Sequence, residues 1–216
     1  MSDCFKEAII DTDFLNKITL APNIDDGKDL FVRTMNELKV KPVVHYYLAE
    51  REMTVNNSIA KELIDTGYIK VYKKNDIVIC EDDEELYERY FRKWYNYLNI
   101  SKPSLEKDVD VFTLKRAKHS LGEIHSVLMA YMLKLNIIYS DDSDAKTLIN
   151  YSGLRDVGVY DLVDVYSYIG KKEKKDISLD EVKNIIRSEN STDSVRIKKR
   201  KKEKYTKVKN IWLGNT

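Results

Sequence analysis

Hydrophobic and polar positions along the chain follow two periods, and the changes of period mark the elements. EAIIDTDFLNKI opens on the short apolar run Ala8 to Ile10, which reads as a strand, then passes through Asp11-Thr12-Asp13 into Phe14 and Leu15, which begin a helix. Residues 29–39, DLFVRTMNELK, place Leu30, Phe31, Met35 and Leu38 at helical spacing, and Pro42 breaks that pattern ahead of VVHYYLAERE. SIAKELIDT predicts a helix over 58–66 with Ser58 as its cap and Gly67 as its stop. YIKVYKKNDIVICEDD carries two β-rich runs, Ile69 to Tyr72 and Ile77 to Cys80, around a polar KKND turn, the pattern of a hairpin or of two successive strands.

From Glu84 onward Leu86, Tyr87, Tyr90, Phe91, Trp94, Tyr97 and Leu98 form a wide aromatic stripe at helical spacing, which reads as core packing rather than as a stacking platform for bases. SKPSLEKDVDVF is a polar connection. LGEIHSVLMAYMLKL then predicts a helix with Leu121, Ile124, Val127, Leu128, Tyr131 and Leu135 on one face. NIIYS supplies a strand, SDAKTLINYSGL a helix ending near Gly153, and DVGVYDLVDVYSYI a last strand and helix. This succession argues for an α/β fold with a largely parallel sheet. After Gly170 come a charged link, KKEKKD, and a short helix, SLDEVKNIIRS, whose Ser178 and Glu181 have capping-box spacing. The tail VRIKKRKKEKYTKVKNIWL has no core-forming periodicity before Ile211, Trp212 and Leu213.

A length of 216 residues fits one domain with a C-terminal extension. The formal charge of +1 conceals an asymmetry: Arg196 to Lys209 holds nine Lys or Arg against one Glu, so that segment carries +8 and the remainder −7. Arg196, Lys198, Lys199, Arg200, Lys201 and Lys202 would attract nucleic-acid phosphates without reading sequence, or would fold back over an acidic cleft with Ile211-Trp212-Leu213 as an apolar anchor; a solvated tail without a partner is the plain alternative. Two cysteines, Cys4 and Cys80, and three scattered histidines make neither a disulfide framework nor a zinc site, and the composition fits a reducing cytoplasm. Charged residues interrupt the N-terminal apolar stretch and no segment reaches the roughly 20 apolar residues of a membrane span, so no membrane association is expected.

In a parallel α/β sheet, functional groups gather beyond the carboxyl ends of the strands. Asp11 and Asp13 stand at one such end, Asp141, Asp142 and Asp144 at another, and Glu123 near the start of the helix that leads into the second. Converging carboxylates repel one another, and without neutralisation some hold protons at neutral pH. Hard divalent cations, Mg²⁺ or Mn²⁺, remove that repulsion, take one or two carboxylates each, and leave room for a phosphate oxygen. A pair of them would support in-line hydrolysis of a phosphodiester with no Ser or Cys nucleophile. His125 projects to a different face from Glu123 and reads as a satisfied helix histidine, while His45 and His119 carry no usable signal.

Three stretches, IIDTDFL, LGEIHSVLMAYML and IIYSDDSDAKTLI, resemble the PIN-like nucleases over about residues 8–165. The resemblance implies a three-layer α/β/α fold with a mainly parallel sheet over residues 1–170, an insertion at about 68–112, and a helical and basic extension at 171–216. It implies a metal-dependent endoribonuclease acting on RNA, either a toxin with an antitoxin partner or an RNA-processing enzyme, and PIN-like proteins often form homodimers. Asp11, Glu123 and Asp142 match the family's metal-ligand positions and Asp144 a further one. Thr12 takes the hydroxyl position after the first acid, and Asp13 and Asp141 are supporting charges. Gly122 and Glu123 match a subgroup with Gly-Glu at the start of the central helix. The family's remaining Glu has Glu50 as its nearest candidate, displaced by about two residues. Two other functions compete: a haloacid-dehalogenase-type phosphatase, in which Asp11 and Asp13 would form the D-x-D pair, and a non-catalytic PIN-like scaffold.

Overall fold

Strand β1 (Lys6–Ile10) lies at the centre of the sheet because its last three residues are buried on both faces, and it is followed by α1 (Thr12–Thr19) and α2 (Gly27–Leu38). Our computed structural model describes residues 5–115, 120–188 and 193–215; Cys4 and His119 lie outside these. The chain continues through β2 (Val40–His45), one turn of helix α3 (Tyr46–Leu48), a π-helical segment at Ala49–Met53, α4 (Thr54–Asn56) and α5 (Ser58–Asp65). Next come β3 (Lys70–Tyr72), α6 (Lys74–Ile77), α7 (Glu81–Leu98), α8 (Leu121–Leu133), β4 (Ile137–Tyr139), α9 (Ser143–Ser152), β5 (Gly158–Tyr160) and α10 (Leu162–Gly170). Two further helices, α11 (Leu179–Ile186) and α12 (Val195–Trp212), complete the described chain.

Among the described residues the sheet has five strands, all parallel, in the order β3-β2-β1-β4-β5. From β1 the chain steps outward to β2 and β3, then returns to the other side of β1 and steps outward again through β4 to β5. Right-handed crossovers in opposite directions place their helices on opposite faces. Accordingly α1, α2 and α5 pack together, and α7, α8 and α9 form a second group. The reversal between β1 and β4 is a topological switch point, the place where open α/β sheets leave a crevice for ligands.

Burial explains where the hydropathy pattern misleads. The β-rich run at Ile77 to Cys80 is not a strand: Asp76 accepts the Lys73 N–H at 2.8 Å and closes a turn of helix, after which Ile77 and Val78 are buried and Ile79 is exposed. Asn57 rather than Ser58 caps α5, accepting the Ala60 N–H at 2.9 Å, while its amide donates to Asn16 and Thr19. Helix α8 buries nine positions between Leu121 and Ala130, not one face, because α7, α9 and the sheet surround it. Gly67 and Gly153 end their helices in the left-handed conformation.

The segment at 68–112 is integral to the core. It supplies edge strand β3 and α7, whose Tyr87, Phe91, Trp94 and Tyr95 are buried, and Phe112 stacks on Tyr87 with ring centroids 4.8 Å apart. The basic tail is also ordered into a helix. In α12 the half-buried Tyr205 and Trp212 and the buried Val208 recur at helical spacing against α10 and α11, and the Trp212 indole donates to Tyr166 O at 2.7 Å. Gly170 is required there, since a Cβ would stand 2.3 Å from the Trp212 ring. Two ion pairs, Arg33–Glu181 at 2.7 Å and Lys172–Glu37 at 2.8 Å, fasten the extension to α2. No helix among the described residues is long and apolar enough to cross a membrane.

Candidate active site at the switch point

Asp11 directly follows β1 and caps α1, so the strand and the helix fix its backbone from both sides. Its backbone N–H donates to Tyr139 O at 2.9 Å, its Oδ1 accepts the Thr12 N–H at 2.8 Å, and its Oδ2 accepts the Ser140 hydroxyl at 2.8 Å. Ser140 directly follows β4, so this last bond spans the switch point. Asp11 is 3% exposed. Burial, opposed by the Ser140 hydrogen bond and reinforced by the charges of Asp13 and Glu52, pushes its carboxyl up to about 7.

Glu123 lies in the first turn of α8. Burial first, then the negative charges of Asp11, Asp142 and Glu52, push it up to about 8. At neutral pH Glu123 therefore holds its proton for most of the time. Asp142 caps α9, with Oδ1 accepting the Asp144 N–H at 2.8 Å, while Asp144 accepts the Ser120 hydroxyl at 2.6 Å. Asp144 thus braces the start of α9 against the start of α8.

The fourth member of the group is one that the sequence pattern does not mark. Glu50 is exposed, whereas Glu52 is half-buried and its Oε2 accepts the Thr12 hydroxyl at 3.0 Å. A π-helical turn explains the offset: the Thr54 N–H bonds Ala49 O, five residues back, and this wider turn rotates the succeeding residues about the helix axis. Burial raises the Glu52 carboxyl, the Thr12 bond opposes this, and the charge of Asp13 adds to it. Gly122 makes room for Glu52, since a Cβ on Gly122 would stand 3.0 Å from Glu52 Oε2. Thr12 supports the site as a hydrogen-bond donor to Glu52, not through Asp11 alone.

Asp13 and Asp141 are each paired with lysine, although Asp13 still adds its negative charge to Asp11 and Glu52. Asp13 is exposed and pairs with Lys17 at 3.5 Å. Asp141 accepts Lys17 at 2.7 Å and Lys204 of α12 at 3.4 Å. Although burial opposes it, these two ammonium groups hold the Asp141 carboxyl below its usual value, and Asp141 in turn raises Lys17. Of the basic residues on α12, Arg196, Lys198, Lys199, Arg200 and Lys202 are exposed, and Lys201 bonds Asp193 at 2.6 Å and the Ser188 carbonyl.

The donors at the switch point are all carboxylate oxygens, which suits Mg²⁺ or Mn²⁺ and excludes a soft-metal preference. Among the described residues no three His, Cys, Asp or Glu side chains converge into a ready-made metal cage. Mg²⁺ ordinarily binds through one or two carboxylates with water and phosphate oxygens completing its shell, so the donor chemistry fits while the arrangement is an open one.

No family model, curated protein or solved structure matches this chain.

Proposed function

We propose that the protein hydrolyses RNA phosphodiester bonds with the help of a divalent cation, in the manner of the PIN-like nucleases that its three acidic stretches resemble. The observation that carries this reading is the electrostatic coupling of Asp11, Glu52, Glu123 and Asp142, drawn from separate segments to the switch point, with Asp11 and Glu123 raised to about 7 and 8. Like charges brought together at a crevice cost stability, and a site that binds cations offsets that cost. Mg²⁺ or Mn²⁺, when bound, supplies charge neutralisation and acidifies a water for attack on phosphorus.

The chain's own residues prepare that chemistry. Ser140 and the Thr12 N–H hold Asp11 in one orientation, and the Thr12 hydroxyl does the same for Glu52. Asp142 keeps one oxygen on the α9 N-terminus, leaving the other for a cation. Asp144, tied to Ser120, positions the two helices on which Glu123 and Asp142 ride. Glu123 must give up its proton to act as an oxygen ligand, so cation binding releases a proton and tightens as pH rises. In this reading Glu52 takes the place expected of Glu50.

The test is cleavage of a mixed single-stranded RNA pool with Mn²⁺, with Mg²⁺ and with EDTA. Cutting that requires the cation and falls by about 10²-fold or more in Asp142→Asn and Glu52→Gln is expected. A folded wild type that cuts under none of these conditions would instead favour the non-catalytic scaffold.

A further inference from the structure

A cleft of about 520 Å³ opens between α1, α11 and α12 beside the acidic group, and its polar lining includes Asp13, Lys17, Asp141, Arg200, Lys201 and Lys204. Along α12, Arg196, Arg200 and Lys204 recur every four residues and so share one helix face, with about 6 Å of rise between neighbours. Arg200 and Lys204 line the cleft, and Arg196 continues the row one turn beyond it. At its inner end the row reaches Asp141, the immediate neighbour of Asp142, where Lys17 joins from α1.

We propose that this row of cations is the backbone track for a single-stranded RNA substrate, and that Asp141 occupies the innermost phosphate position until RNA arrives. The proposal rests on the ribonuclease reading for the identity of its ligand. Charge complementarity supports it: the described cations form a line, they are guanidinium and ammonium groups suited to phosphate, and the line ends one residue from a candidate site for phosphodiester cleavage. Asp141 explains why the two innermost ammonium groups are not left to repel each other in the free protein. A carboxylate between two lysines presents the same oxygen acceptors that a phosphodiester would. Substrate phosphate would exchange with Asp141, and the lysines would change partner without moving out of the cleft. The cleft's floor is aliphatic, formed by Leu162, Val163, Ile185 and Ile186, and among the described residues holds no aromatic ring for base stacking, so the track would grip the phosphates rather than the bases.

Equilibrium binding of a fluorescein-labelled oligouridine of about 12 nucleotides, measured in EDTA by anisotropy from about 50 to 200 mM salt, separates this from catalysis. The double variant R196A/R200A removes two charges whose side chains are exposed, so the fold is retained. Its log–log salt slope should be shallower by about 1.4. D141N should bind more tightly, with a steeper slope, because Lys204 is released to phosphate and Lys17 keeps only its longer pair with the exposed Asp13 at 3.5 Å. An unchanged slope in R196A/R200A, or a D141N that binds no more tightly than wild type, overturns the proposal. Hydrolysis of bis(p-nitrophenyl) phosphate by wild type with Mn²⁺ reads the catalytic site alone, so failure there strikes at the nuclease and leaves the binding result intact.

Discussion

Two buried polar groups in this protein are built on opposite terms. In the first, His45 Nδ1 accepts the Tyr47 N–H at 3.0 Å, so the ring proton sits on Nε2 and is donated to the Tyr87 hydroxyl at 3.0 Å. Tyr87 then donates to His125 Nδ1 at 2.6 Å, which leaves His125 protonated on Nε2. Every step is neutral, and burial keeps it so by holding His45 far below its usual value and His125 down to about 3. In the second group, Asp11, Glu52, Glu123 and Asp142 would all be negative in water, and burial together with mutual repulsion forces protons onto some of them. The first group pairs its buried polar atoms except His125 Nε2, which has no hydrogen-bond partner among the described residues; the second lowers stability, a cost that the proposed cation binding would offset. Such opposite effects of burial distinguish a structural polar cluster from a functional one better than residue type does.

The largest expected effect breaks the first group. Tyr87→Phe removes the one hydroxyl that serves both rings and leaves a buried donor on His45 and a buried acceptor on His125, at about 1–3 kcal/mol each. Urea unfolding in EDTA should show a loss of about 2–6 kcal/mol. Asp11→Asn in the same assay should cost nothing or stabilise, since it deletes a charge that the site resists. Equal losses in both variants would dissolve the distinction.

A pH titration sharpens it. For a carboxyl raised in the folded state, the native protein holds more protons than the unfolded chain between the two pKa values, so stability falls as pH rises through that interval. For the histidines the sign is opposite: the unfolded chain binds the extra protons below about 6.5, and stability rises with pH up to that point. Between about pH 6.5 and 8 the histidine contribution is complete, and the rise of Asp11 to about 7 and Glu123 to about 8 governs. Metal-free protein should lose on the order of 1–2 kcal/mol across this window. Glu123→Gln should flatten the loss, and Mn²⁺ should reverse it. A flat profile in wild type would mean that the carboxylates do not interact as their placement demands.

Much of this design was legible in the sequence, for reasons that can be assigned residue by residue. Asp11, Glu123 and Asp142 were visible because each follows a strand or opens a helix, positions that local pattern marks well. The parallel sheet followed from the succession of strands and helices. Glu52 was invisible as such, because a single π-helical turn changes the phase of the segment after β2 and no periodicity announces it. His45 and Tyr87 were unreadable for another reason: their partner is each other across 42 positions, and a buried hydrogen bond leaves no trace in local hydropathy. The tail's helix was hidden by its lysines, since Lys201 and Lys204 stand at inward positions where an apolar residue would have completed the stripe, and they carry their charges to Asp193 and Asp141.

The smallest expected effect on stability is also the most selective for the site. Gly122 sits in a buried helix, where alanine ordinarily gains about 1 kcal/mol of helix propensity. Its added methyl would meet only the ends of the Glu52 side chain, at 3.0 and 3.1 Å from the two carboxylate oxygens. That carboxylate can retreat by a few tenths of an ångström, so Gly122→Ala should unfold within about 1 kcal/mol of wild type. The retreat lengthens the Thr12 bond and moves Glu52 relative to Asp11 and Glu123. Titration with Mn²⁺, followed by isothermal calorimetry, should therefore show weaker binding of about 10-fold in a protein of native stability. If Gly122→Ala binds the cation as wild type does, then Gly122 serves the packing of α8 alone and Glu52 takes no part in holding the metal. If it binds weakly and melts normally, the absent side chain at 122 belongs to the acidic group as much as the carboxylates it accommodates.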